Sequence, residues 1–60
     1  MNVEIRSRRR DGVECVDLWK DVAFTMCTDE GDIMVADSQG EMIYNRDDYT
    51  YLRMIGKDND

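Results

Sequence analysis

Four arginines fall within five positions of the stretch IRSRRRDGV, residues 5 to 13. They stand in a chain with 14 Asp and Glu against 8 Lys and Arg. Guanidinium groups at this density suit a bidentate grip on a carboxylate or a phosphate. Other chemistry is scarce. There is no His, so the usual general base near neutral pH is missing. Cys15 and Cys27 are the only thiols. A nucleophilic thiol needs an activating neighbour, and an all-cysteine zinc site needs four thiolates. The carboxylates gather in TDEGD (Asp29, Glu30, Asp32) and in DSQGE (Asp37, Glu41). Neither matches the twelve-residue calcium loop, with its ligands at alternate positions and closing Glu. They read as polar hairpin tips, with a weak divalent-cation site as the alternative. No Gly-rich phosphate loop is present. The expectation is a non-enzyme with no cofactor and no metal.

The elements that must position these residues are short. Gly12, Gly31 and Gly40 sit in polar clusters that mark hairpin turns. Between them lie runs rich in Val, Ile, Phe, Tyr and Thr, which favour strands. The chain therefore reads as a single β-rich domain, residues 1–60. Its expected fold is an antiparallel meander of five to six strands, at 2–9, 13–19, 23–28, 32–37, 41–45 and 48–55, curled into a sheet or small barrel. The last segment has an alternative. It is either a strand pairing with 41–45, or a short helix capped by Asp47 or Asp48 and closed by Gly56.

Side-chain parity then assigns faces, because a slip of one residue turns every side chain over. A two-residue loop at Asp11-Gly12 pairs Val3 with Lys20, Ile5 with Leu18, Ser7 with Val16 and Arg9 with Glu14. On the other face Arg6 meets Asp17, Arg8 meets Cys15 and Arg10 meets Val13. Arg6, Arg8 and Arg10 become an outward stripe, shared with Trp19, on what reads as an edge strand; charge there blocks unwanted pairing. A three-residue loop at Lys20–Val22 sets Leu18 against Phe24 and Cys15 against Cys27, a spacing that permits a disulfide. A turn at Glu30-Gly31 pairs Met26 with Val35. The expected core face is Val3, Ile5, Val16, Leu18, Phe24, Met26, Ile33, Val35, Met42 and Tyr44. Behind it Cys27, Met34 and Ile43 line up across three strands, the expected dimer interface.

Charge points to the kind of partner. Residues 1–10 hold four Arg against Glu4, and the other fifty hold four basic and thirteen acidic groups. An acidic body repels nucleic acid and favours basic proteins, including those that hold nucleic acid. A chain of 60 residues is marginal alone and gains from oligomerisation. No apolar run approaches a membrane span. The first ten residues lack the apolar stretch of a signal peptide, so a cytoplasmic protein with free thiols is expected. The function expected is a small acidic protein-interaction module, homodimeric. It would act as a virus- or mobile-element-type inhibitor docking on a basic, nucleic-acid-handling host protein. The residues expected to touch that partner are Arg6, Arg8, Arg10, Asp29, Glu30, Asp32, Asp37 and Glu41. Two alternatives stay open: a structural or accessory subunit of an assembly, and a weak nucleic-acid binder using the Arg stripe with Trp19, Tyr44, Tyr49 or Tyr51 for stacking.

Overall fold

The computed structural model describes residues 1–57. Its strands are β1 (Val3–Arg9), β2 (Glu14–Trp19), β3 (Phe24–Cys27), β4 (Ile33–Asp37), β5 (Gly40–Tyr44) and β6 (Tyr49–Gly56), with a 3-10 turn at Arg46–Asp48. The chain is mainly β, as its composition implies. It forms two antiparallel three-stranded sheets rather than one meander, and they do not close into a barrel. The order is β2–β1–β6 in the terminal sheet and β3–β4–β5 in the middle sheet.

The first hairpin departs from the expected register by one residue, for a reason in its loop. A two-residue type I′ turn needs positive φ at both central positions. Here Gly12 takes φ +93° and Asp11 does not follow it. The chain uses a three-residue loop instead. Arg9 N–H donates to the Val13 carbonyl at 2.8 Å, and Gly12 N–H donates to the Arg9 carbonyl at 2.9 Å. Asp11 Oδ1 accepts from Val13 N–H at 3.0 Å and tightens the turn. Val3 then faces Trp19, Ile5 faces Asp17, Arg6 faces Val16 and Arg8 faces Glu14. Trp19 and Asp17 turn inward, while Val16 and Leu18 turn outward, 56% and 66% exposed.

The β3–β4 hairpin repeats the same loop. Thr28 N–H donates to the Asp32 carbonyl at 2.9 Å and Gly31 N–H to the Thr28 carbonyl at 3.0 Å, with Gly31 again at φ +93°. Met26 faces Met34, and Cys27 faces Ile33. Phe24 and Met26 therefore leave the expected core and stand on the outer surface. The β4–β5 turn pairs Asp37 with Gly40 around a two-residue loop, setting Val35 opposite Met42. Met42 nonetheless stays exposed at the margin of that inner face.

Residues 20 to 23 form a crossing between sheets and not a hairpin. Asp21 adopts φ +56°, and its N–H donates to Asn2 Oδ1 at 3.1 Å. Val22 N–H donates to the Met1 carbonyl at 2.7 Å, which drives the Val22 side chain into the core. β2 and β3 thus belong to different sheets. Cys15 and Cys27 are not opposed, and both thiols are free.

The terminal segment is a strand, and its partner is β1 rather than β5. Ile5 faces Met54 and Ser7 faces Leu52. Leu52 and Met54 alternate inward from YTYLRMI, a pattern that strands satisfy and helices do not. β1 is consequently central, not an edge. The shared core is Val3 and Ile5 of the terminal sheet, Ile33, Val35 and Tyr44 of the middle sheet, and Val22 between them. Trp19, Tyr49, Leu52 and Met54 pack around it.

Candidate functional site

One polar contact joins the two inner faces. The Tyr44 hydroxyl accepts from Trp19 Nε1–H at 2.9 Å and donates to Asp17 Oδ2 at 2.7 Å. Burial pushes the Tyr44 phenol up to about 12, and the bond to Asp17 adds to the rise. All three groups are satisfied by one another. Tyr44, 2% exposed, is closed to stacking on a base, and the bracket ties the two inner faces together.

The outer face of the terminal sheet carries the arginines, arranged otherwise than the sequence implied. Arg6 donates to Glu4 two residues earlier on the same face. Arg8 is directly across from Glu14, and its Nε and Nη2 donate to Glu14 Oε2 at 3.0 and 2.5 Å. Arg10 sits in the loop, off the strand, and its Nε donates to the Asp47 carbonyl at 2.6 Å. Arg9 pairs with Asp11 at 3.1 Å instead of with Glu14. The stripe is therefore neither three residues of one strand nor protection of a sheet edge. Glu4 is only 6% exposed, covered by Arg6 and by Lys57 at 3.7 Å. The Arg6 guanidinium holds its carboxyl below the usual carboxylate range, against the opposing effect of burial.

A residue that the sequence reading missed completes this face. Arg53 of β6 stands directly opposite Arg6. Like charges in that position repel. Glu4 answers Arg6, whereas Arg53 is exposed and makes no ion pair with any described residue. Exposed Val16, Leu18 and Tyr51 share this face, opposite Arg6, Glu4 and Arg8. The signal that finds Arg53 is the pairing of β6 with β1, which parity within hairpins does not reveal.

The middle sheet presents the expected apolar stripe with one substitution. Met34 and Ile43 are opposed as expected, but the third member is Met26. Cys27 lies in line with Ile33 and Tyr44 on the other face, outside the stripe in which it was expected. Phe24, Met26 and Ile43 are each about half exposed. Glu41 shares this face, opposite Ala36. Asp29 and Glu30 form the exposed tip of the β3–β4 hairpin. Asp32 and Asp37 have local duties. Asp32 Oδ1 accepts from Arg46 N–H at 2.8 Å, and Asp37 Oδ1 from Gln39 N–H at 2.8 Å. The eight residues expected to touch a partner are thus divided between two sheets. Asp29, Glu30 and Glu41 remain free to meet one on the acidic side.

Charge also divides between the two sheets, with Arg46 of the 3-10 turn packed beside Gly31 at the end of the middle one. Residues 24–44, the whole middle sheet with its turns, hold five carboxylates and no cation. The segments that build the terminal sheet, 3–19 and 49–57, hold six cations against four carboxylates. An open groove of about 500 Å³ is lined by Val16, Asp17, Leu18, Trp19, Met42 and Tyr44. Its one carboxylate is already bonded to Tyr44. Among the described residues no group of three or more Cys, Asp or Glu is placed to hold a metal ion, and no helix is long and apolar enough to cross a membrane. No family model, curated protein or solved structure matches the chain.

Proposed function

We propose that the chain is a small protein-interaction module that docks on a basic protein surface through the outer face of its middle sheet. The observation that carries this reading is the exposed stripe of Phe24, Met26 and Ile43 on a sheet with five carboxylates and no cation. Apolar groups of this kind supply contact area, and carboxylates around them steer and select a cationic partner. Surfaces that hold nucleic acid are basic, so a nucleic-acid-handling protein is the partner class. The role is that of an inhibitor such as a virus or mobile element makes, acting in the cytoplasm. Free Cys15 and Cys27 accord with that compartment. The nucleic-acid alternative has less support, because Arg6, Arg8 and Arg10 are each engaged within the chain.

Affinity capture from a bacterial lysate tests the reading. The immobilised chain is expected to retain a basic protein at low salt and release it at high salt. Ile43→Lys should abolish retention. The identified protein, repurified, should lose its grip on DNA when the chain is added. Retention of no basic protein, or retention indifferent to salt, sinks the proposal.

A further inference from the structure

We propose that the outer face of the terminal sheet is a docking site for a second copy of this chain, which seats its middle sheet there head to tail. This rests on the reading of the middle sheet as a docking face. Three observations carry it. First, the two outer faces are opposite in sign: on the strands of the terminal sheet Arg6, Arg8 and Arg53 stand against Glu4 and Glu14, and on those of the middle sheet Glu41 stands with no cation. Second, both faces are three strands wide and both expose apolar side chains, Val16, Leu18 and Tyr51 on one and Phe24, Met26 and Ile43 on the other. Third, Arg53 faces Arg6 across the β1–β6 pair and has no ion pair among the described residues. A carboxylate brought by another molecule relieves that repulsion, and Glu41 stands within the apolar stripe of the middle sheet.

Symmetry follows from the signs. A two-fold dimer places the same face on both copies. Through the middle sheet it would join two faces that each carry Glu41 and no cation on the strands. Through the terminal sheet it would join two faces on each of which Arg6, Arg8 and Arg53 outnumber Glu4 and Glu14. The pairing of unlike faces brings Arg53 a carboxylate, Glu41, that is not already bonded to an arginine, as Glu4 and Glu14 are. Stacked sheets lie about 10 Å apart, a gap that arginine and glutamate side chains span together. Such a contact is heterologous and leaves one unused face at each end, so it adds copies in a row. It also replaces the homodimer through Met34 and Ile43 with a directional assembly.

Sedimentation velocity across protein concentration and salt tests this, with two variants on exposed positions. Arg53→Glu removes the basic face and leaves the middle sheet intact. Ile43→Glu spoils the apolar stripe, adds a fourth free carboxylate to that side and leaves the terminal sheet intact. Circular dichroism and Trp19 fluorescence confirm that each variant is folded. The unaltered chain should form dimers and larger species at low salt, with roughly tenfold weaker association at high salt. Each variant alone should stay monomeric. Mixed, the two should form a one-to-one dimer and nothing larger, because the spoiled faces are both acidic. A monomeric unaltered chain overturns the inference, as does association that salt does not weaken. A dimer of Arg53→Glu alone means a two-fold contact through the middle sheet and also overturns it. So does a dimer of Ile43→Glu alone, through the terminal sheet. Loss of self-association with retained capture of a basic protein leaves the proposed function standing. Self-association without such capture does the reverse.

Discussion

The terminal sheet and the middle sheet are built by the same loop. Both hairpins close with three residues, both place glycine at φ +93° and both use one pair of backbone hydrogen bonds of nearly equal length. Each sheet gives two or three aliphatic or aromatic side chains to one common core. They differ on the outside. One outer face crowds Arg6 against Arg53 and covers a carboxylate, Glu4, to neutralise part of the charge. The other bears no cation on any strand or turn. The inner faces agree because both must pack against the same core. Folding makes no such demand of the outer faces, so their difference in sign points to what they touch.

If the sheets are halves of one core, equal truncations on either side should cost alike. Ile5→Ala in β1 and Ile33→Ala in β4 should each lower stability by about 2–5 kcal/mol. Both should do so in a single transition, read by urea denaturation. Two separate transitions would break the picture of a shared core.

The Tyr44 bracket is the next largest effect. Tyr44→Phe strips the partner from both Trp19 N–H and Asp17, at a cost of about 1–3 kcal/mol, and should shift Trp19 emission. The same phenol gives a pH signature. Its folded value lies above the ordinary 10, near 12. The neutral form is therefore favoured by folding, and that contribution is whole below pH 10 and lost as pH rises toward 12. Ultraviolet titration should show a tyrosine step near pH 12, and Tyr44→Phe should remove that step.

The two loop glycines sharpen the comparison further. Gly12→Ala and Gly31→Ala should each cost about 1–2 kcal/mol, because an L residue is strained at that φ. Gly31 should cost more. A Cβ there meets the Arg46 side chain at 3.3 Å, while nothing lies within 4 Å of one at Gly12. Thermal melts of the pair should rank them in that order.

Acid pH bears on the terminal sheet through Glu4. Glu4 has its carboxyl held below the ordinary 4.5 by Arg6. Folding thus favours its ionised form. The gain is present above pH 4.5 and is lost as pH falls through the depressed folded value. Glu4→Gln should flatten the acid limb of the stability curve. Least of all, Leu18→Ser and Met26→Ser, on exposed positions, should each change stability by about 0.5 kcal/mol or less. Their effect should appear in binding instead.

Much of this molecule was legible in its residues. Gly12, Gly31 and Gly40 mark three turns correctly because a turn needs a residue free of Cβ strain. The runs between them are strands because β-branched and aromatic side chains fit a pleated surface. Val3, Ile5, Ile33, Val35 and Tyr44 are core by their chemistry and spacing alone. The acidic tips at Asp29, Glu30 and Glu41 are exposed as expected. The alternation of YTYLRMI suits a strand, yet nothing local distinguishes β1 from β5 as its partner.

What only the tertiary structure decided turns on single residues and long-range contacts. One extra residue in each of two loops reverses Val16, Leu18, Phe24 and Met26 from core to surface, because side chains alternate with a period of two. The backbone choice at Asp11 settles that count, and composition does not encode it. The seating of Val22 against Met1 separates β2 from β3 and parts the two thiols. The docking of β6 on β1 brings Arg53 opposite Arg6 across 47 positions of sequence. Charge along the chain was fixed from the outset by residue type. Its sorting into one basic and one acidic face arose when strands remote in sequence were brought side by side to bury a common core.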